Sequence, residues 1–245
     1  MSDINYDFKG RVAVVTGGAN GIGAEIARHY AAAGASLSIW DLDTPEQLDT
    51  GHRFCHVDVR DLENVQHAFA KTITDFGQID FLSHNAGFAG STVPVTQYDP
   101  NEWERIVDVN LTGTMRCCLA AQPLLKASGG AIVNTASMLS IFGGPLVPAY
   151  SASKGGVAQL TKALAGKWAD DNIRVNAIAP GWIETEVTRG IRETPERSQG
   201  ILSRTPMKRW GQTEEVGALV NWLLSEEAGF VTGSVYPVDG GYSAM

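Results

Sequence analysis

Arg11-Val-Ala-Val-Val-Thr16, followed by Gly17-Gly18-Ala19-Asn20-Gly21-Ile22-Gly23, is the stretch that decides how this chain folds. Its apolar run is continuous rather than alternating, as in a strand buried on both faces. Glycines spaced G-x-x-x-G-x-G end the strand, and Ile22 to Ala33 then reads as a helix stopped by Gly34. Each glycine has a physical reason to be there. Gly17 makes the tight turn, Gly21 lets a pyrophosphate approach the backbone, and Gly23 lets the helix pack on the sheet. The amides opening the helix, around Asn20, Gly21 and Ile22, face that anion. An ordinary glycine-rich strand-to-helix turn would look the same, so the choice between the two readings needs context.

The first context is a carboxylate about 20 residues on, at the end of the next strand, Ser36 to Trp40. Asp41 there can accept both ribose hydroxyls of NAD and would repel the 2′-phosphate of NADP. No Lys or Arg occurs from Gly17 to Gly23 or from Asp41 to Asp43 to neutralise such a phosphate, so NAD is the expected cofactor. The plain alternative is that Asp41 merely terminates a strand.

Further along, strands are expected at Arg53 to Val57, Ile79 to His84, Gly130 to Ala136, Ile173 to Ala179 and Ser234 to Val238. Helices are expected at Leu62 to Phe76, Glu102 to Lys126, Tyr150 to Asp170 and Thr213 to Leu224. Regular alternation of this kind implies an α/β fold: a Rossmann-type, doubly wound, seven-stranded parallel sheet with helices on both faces. One crossover is thin. Leu42 to His52 is short for a parallel connection, and Thr44 to Leu48 has room for little more than one helical turn. No linker or repeat interrupts residues 1–245, so a single nucleotide-binding domain is expected.

Composition narrows the setting. The 245 residues carry a formal charge of −8, which disfavours a nucleic-acid partner. Three cysteines, Cys55, Cys117 and Cys118, make no disulfide framework and fit a reducing cytoplasm. Asp3 and Asp7 stand where a signal peptide would be basic and then apolar. Ala127 to Ser153 lacks charge over a length that could span a bilayer, but its glycines, prolines, serines and Asn134 make it a poor lipid helix, and no membrane partner is expected. Such an uncharged, glycine-rich segment suits an active-site floor.

That segment carries Ser137 and ends at Tyr150, and Lys154 follows four residues later, on the same helical face. Ser137 comes directly after an expected strand, at the carboxyl edge where sites of open α/β sheets gather. A phenol beside an ammonium can serve as a proton acceptor, because nearby cations lower its pKa. Ser137 would orient the substrate oxygen and stabilise its charge.

Together these motifs resemble the short-chain dehydrogenase/reductase family: TGGANGIG at Thr16 to Gly23, HNAG at His84 to Gly87, VN at Val109 to Asn110, Ser137, YSASK at Tyr150 to Lys154, and PGWIET at Pro180 to Thr185. The resemblance implies a nicotinamide-dependent oxidoreductase acting on C–OH or C=O groups, with Asn110, Ser137, Tyr150 and Lys154 as its catalytic set. It further implies that Asp58 and Val59 hold the adenine and that Asn85, Ala86 and Gly87 line the cofactor floor. Pro180, Gly181, Ile183 and Thr185 would meet the nicotinamide, Tyr150 and Lys154 would contact the cofactor as well, and Asn110 would join a water-mediated relay toward Lys154. His84 departs from the pattern, where a second asparagine is usual.

Other features have plainer readings. His52, Cys55, His56 and Asp58 cluster, but Cys55 points away from the others on an extended strand, so no metal is expected. Residues 182–211 form a long connection, an expected substrate lid, with Arg189, Arg192, Arg197, Arg204 and Arg209. These could clamp an anionic group or form a solvated face with Glu193 and Glu196. Leu139, Trp182, Phe88 and Phe142 are candidate pocket walls beside Ser137 and Tyr150, and the expected substrate is a small polar alcohol such as a sugar, sugar acid or polyol. The helix Glu102 to Lys126 is apolar on more than one stripe, which together with the resemblance predicts a homo-oligomer, a tetramer ahead of a dimer. The rival readings are an NADPH-dependent 3-oxoacyl thioester reductase and a non-catalytic NAD-sensing subunit.

Overall fold

The computed structural model describes residues 6–244. Its seven strands form one parallel sheet in the order β3-β2-β1-β4-β5-β6-β7: β1 (Val12–Thr16), β2 (Ser36–Asp41), β3 (Arg53–His56), β4 (Phe81–His84), β5 (Ala131–Thr135), β6 (Arg174–Pro180) and β7 (Val235–Val238). All seven lie where expected, within about two residues at their ends. The chain runs outward from β1 to β3, then returns to β4 on the other side of β1. That reversal opens a crevice between the carboxyl ends of β1 and β4, where such sheets bind ligands.

Alternate residues of β1 feed opposite layers. Ala13 and Val15 pack with Ile26 and Tyr30 of α1 (Gly21–Ala32) and with Val216, Val220 and Leu223 of α8 (Thr213–Leu224). Val14 packs on the other face with Val65 and Phe69 of α2 (Leu62–Phe76), with Cys117, Cys118 and Leu125 of α4 (Gly113–Ser128), and with Trp168 of α5 (Pro148–Trp168). Among the described residues, no helix is long and apolar enough to cross a membrane. The uncharged segment 127–153 instead supplies β5, the turn carrying Ser137 and the first turns of α5.

Two expectations are corrected. Residues 42–52 hold no helix, not even the single turn allowed for Thr44 to Leu48, and β2 passes directly to β3, with Val57 N–H bonding to Asp41 O at 3.0 Å. The expected helix Glu102 to Lys126 is interrupted: α3 (Pro100–Val107) meets α4 through a π-turn at Asp108–Thr112, centred on Asn110. A π-turn adds a residue to the helical repeat and rotates the side chain there, a distortion that periodicity counting does not register. Two short lid helices, α6 (Arg189–Arg192) and α7 (Pro195–Arg204), were not expected.

At the amino edge of the sheet, Asp80 is buried and its oxygens accept from Val12 N–H at 2.8 Å, Arg11 Nη1 at 3.0 Å and Gln78 Nε2 at 2.8 Å. Asp80→Ala would leave the Val12 amide unpaired, so urea unfolding should show a loss of about 2–3 kcal/mol. Because this edge is remote from the crevice, kcat and KM should be unchanged.

Candidate active site

The glycine turn is shaped by close backbone contacts. Gly17 has φ +61, and a Cβ there would stand 2.7 Å from the backbone of Ala86. A Cβ at Gly23 would overlap the Gly17 carbonyl oxygen. The third glycine therefore packs α1 against the turn itself, a closer neighbour than the sheet that spacing suggested. Gly21 has φ +54 and lies near Thr185, where a Cβ would find only ordinary contact at 3.6 Å. The N-cap Asn20 gives no side-chain hydrogen bond to the helix, so the first amides of α1 have no capping group competing with an anion.

Asp41 faces this turn. Its Oδ2 accepts Ala19 N–H at 2.9 Å and its Oδ1 accepts Leu42 N–H at 2.8 Å. These bonds orient the half-buried carboxylate while leaving lone pairs for further donors. Across the crevice, Thr16 Oγ1 accepts from the Asn85 and Ala86 amides, both at 3.2 Å, and Asn85 Nδ2 donates to Gly17 O at 3.2 Å. The Asn85-Ala86-Gly87 segment is thus tied to the glycine turn through Thr16, a residue sequence reasoning passed over. A cleft floored by glycines, with open helix amides and an anchored carboxylate at one end, fits a dinucleotide.

Asp58 and Val59 lie beyond β3. The Asp58 carboxylate is engaged by Arg60 at 2.6 Å, and these hydrogen bonds hold it below the usual carboxylate range. Its backbone N–H donates to Asn64 Oδ1 at 2.8 Å. Val59 is buried against Gly113. At the other end, Gly181 N–H donates to Val238 O at 2.9 Å, and a Cβ on Gly181 would meet Asp239 at 2.6 Å. Pro180 ends β6, Ile183 bridges to Gly211, and Thr185 N–H donates to Thr188 Oγ1 at 3.0 Å.

The four polar residues of the proposed catalytic set meet above β4 and β5. Ser137 leaves β5 as the cap of a short 3-10 turn, with its Oγ accepting Leu139 N–H at 3.1 Å. Tyr150 lies in the first turn of α5. Burial raises its phenol pKa, and the neighbouring Ser137 side chain offsets part of that rise. The expectation that Lys154 lowers the phenol does not hold for the chain by itself, since burial outweighs any such effect. Lys154 Nζ lies 5.7 Å from the Tyr150 ring centroid and donates to Thr135 O at 2.6 Å. The lysine is 4% exposed, and burial pushes its pKa down to about 8.

Asn110 is fully buried in the π-turn. Its Nδ2 donates to Phe88 O at 2.9 Å and Ser153 Oγ at 3.1 Å, and its Oδ1 accepts Phe88 N–H at 3.0 Å. A Cβ on Gly87 would lie 2.9 Å from Asn110 Oδ1 and 3.4 Å from Lys154 Nζ, so glycine at that position keeps the approach between them open. His84 Nδ1 lies 3.0 Å from Thr114 Oγ1, which donates to Asn110 O at 2.7 Å. Burial, reinforced by the Lys154 charge, pushes His84 down to about 3, so it stands as a neutral imidazole bracing the π-turn through Thr114. Neither Thr114 nor Thr135 carried a sequence signal, because each acts through packing or a carbonyl.

Of the expected pocket walls, Leu139 lies beside Gly144, and Trp182 meets the Trp210 ring edge-on at 5.7 Å. Phe88 serves mainly as backbone for Asn110, and its ring is covered by Arg105 at 5.0 Å. The lid arginines do not pair with Glu193 and Glu196 as allowed for. Instead, Arg189 pairs with Glu186, Arg192 with Glu184 and Arg209 with Glu215.

This fold and site define a dinucleotide-dependent oxidoreductase. A family model described as enoyl-(acyl carrier protein) reductase matches residues 17–243. The cis-4-hydroxycyclohexanecarboxylate dehydrogenase of Sinomonas cyclohexanicum is 39% identical, the alignment covering 97% of this chain and 98% of that protein. The 2-dehydro-3-deoxy-D-gluconate 5-dehydrogenase of Bacillus subtilis is 38% identical over 97% of this chain and 96% of that one. A solved structure from Agrobacterium tumefaciens, described as a putative 2-deoxy-D-gluconate 3-dehydrogenase and holding NADP, superimposes with a TM-score of 0.90 at 37% identity, covering 99% of this chain and 100% of that one. The chain belongs to the short-chain dehydrogenase/reductase family. It is an oxidoreductase that interconverts hydroxyl and carbonyl groups with a nicotinamide cofactor, which when bound takes up or gives back the hydride.

Such chemistry needs a group to hold the substrate oxygen and one to exchange its proton, and Ser137 and Tyr150 offer a hydroxyl and a phenol of that kind. Lys154 places its ammonium near the Tyr150 phenol, and Gly87 stands between that ammonium and Asn110. The burial of Lys154 has a measurable consequence. Its pKa falls from 10.5 to about 8 on folding, so between those values the unfolded chain binds a proton that the folded chain has released. Stability must then rise with pH across that window, by up to about 3 kcal/mol. Lys154→Met should abolish this contribution, so the urea midpoints of the two chains should diverge between pH 8 and 10, wild type gaining. Equal slopes would contradict it.

Proposed function

We propose that this protein is an NAD-preferring dehydrogenase of a small polar secondary alcohol such as a sugar, sugar acid or polyol, with Tyr150 as general base in oxidation and general acid in reduction. The observation that carries the reading is the Ser137–Tyr150 pair above a buried Lys154, an arrangement with no purpose in a protein that only senses nucleotide. Asp41 favours NAD: its carboxylate is oriented by three backbone amides, and none of the ion pairs described brings a cation to it. The NADP-bound neighbour marks the alternative that this residue disfavours. The relatives that act on a hydroxycyclohexanecarboxylate and a dehydro-deoxygluconate support a polar, hydroxylated substrate.

The working form is a homo-oligomer, a tetramer ahead of a dimer. Trp103 of α3 and Leu119 of α4 are exposed apolar residues on the segment expected to want a partner. Three free, buried cysteines suit a cytoplasmic setting.

Absorbance at 340 nm tests the chemistry. With a panel of polyols, sugar acids and hydroxyacyl esters, kcat/KM should favour NAD over NADP by at least about tenfold, and Asp41→Ser should narrow that ratio by weakening NAD. Preference for NADP would defeat the Asp41 argument. Tyr150→Phe should lower kcat by roughly 10²- to 10⁴-fold. Light scattering should give a multiple of the monomer mass, and a monomer at micromolar concentration would remove the oligomer proposal.

A further inference from the structure

Of the five arginines in the lid, three are spoken for by carboxylates: Arg189 by Glu186 at 2.5 Å, Arg192 by Glu184 at 3.4 Å and Arg209 by Glu215 at 2.6 Å. Arg204 is held in another way. Its guanidinium carbon lies 4.3 Å from the Tyr242 ring centroid and 5.0 Å from that of Phe142, and the two rings stack on each other at 5.9 Å. Among the described residues no carboxylate comes within ion-pair distance of it, and its one hydrogen bond is a long one, 3.4 Å from Nη1 to the Tyr242 hydroxyl.

Aromatic rings contact the face of a guanidinium and leave its N–H edge outward. The rings therefore restrain Arg204 without consuming the fork of donors that matches a carboxylate. A restrained cation loses less side-chain entropy when it binds, which favours recognition over simple solvation.

The three residues also come from the segments that enclose the reactive end of the site. Phe142 follows Ser137 by five residues, through the 3-10 turn Met138–Ser140, and at ~2 Å rise per residue that places it within about 10 Å of Ser137. Arg204 closes the last turn of α7 in the lid. Its neighbour Thr205, together with Gly240 and Gly241 beside Tyr242, lines a cavity of about 250 Å³ that extends to Trp182 and Ile183. A substrate held by its hydroxyl at Ser137 and Tyr150, with its far end toward the lid, would meet this cation.

We propose that Arg204 is the specificity residue that binds a carboxylate on the substrate, so that the protein acts on hydroxy acids whose reacting hydroxyl lies several carbons from the acid group. The proposal rests on the dehydrogenase reading above and narrows its substrate class. Phe142 and Tyr242 keep the guanidinium aimed, and the bond it forms is the two-pronged, charge-assisted kind.

Matched probes test it: gluconate against glucitol, and 4-hydroxycyclohexanecarboxylate against its primary amide, with kcat and KM measured for wild type, Arg204→Gln and Arg204→Lys. Wild type should favour the acid member of a pair. Arg204→Gln should lose roughly ten- to a hundredfold in kcat/KM on the acid, mainly through KM, with less than about threefold change on the neutral partner. Arg204→Lys should fall between, keeping charge without the fork. Both variants should keep the wild-type Tm, because the side chain is exposed.

Equal losses on acid and neutral probes would overturn the proposal, since they would mark an arginine that only packs the lid. Turnover by wild type with no preference for the acid would overturn it as well. No turnover of any probe with either cofactor would instead bring down the dehydrogenase reading, and the proposal with it.

Discussion

The hydrogen bond from Lys154 Nζ to the Thr135 carbonyl, 2.6 Å long and buried, is the constraint on which the site depends. An ammonium taken out of water needs its donors directed at acceptors, or it deprotonates or swings out. Thr135 is the last residue of β5, so the sheet itself supplies the acceptor, and the position of Lys154 is fixed to the strand from which Ser137 emerges two residues later. Tyr150, one turn earlier on the same helix, is thereby brought to Ser137. This bond ties the first turns of α5 to the carboxyl edge of the sheet.

Gly87 and the π-turn set further surroundings of the ammonium. Gly87 lacks the side chain that would separate Asn110 from Lys154, and the π-turn at Asp108–Thr112 rotates Asn110 inward, where Phe88 backbone and Ser153 hold its amide. His84 braces that turn through Thr114 as a neutral imidazole, a role suited to a buried position beside a cation. Its departure from the usual asparagine adds no second titrating group near neutral pH. The acidic chain also reserves its cations. Most lid arginines are neutralised locally, by Glu184, Glu186 and Glu215, while Arg204 is restrained by rings.

Much of this was legible in the linear sequence, for particular reasons. Strand β1 announced itself because burial on both faces demands an unbroken apolar run. The glycines were legible because φ +61 at Gly17 and the contact at Gly23 exclude every other residue. Tyr150 and Lys154 were legible because four residues is one helical turn. Arg204 was visible only as one of five arginines, and the pairings that set it apart are with residues up to 62 positions away. The interruption at Asn110 was hidden because one inserted residue leaves the apolar count of the helix nearly unchanged.

By itself, then, the sequence determined the parallel sheet, its glycine turn and the identity of the reacting side chains, all of which rest on local sterics and on periodicity along the chain. The tertiary structure decided that the Lys154 ammonium is buried against Thr135, that Asn110 turns inward, and that Arg204 is held between Phe142 and Tyr242. These depend on distances between segments remote in sequence, and burial, ion pairing and pKa shifts exist only once such segments are packed together.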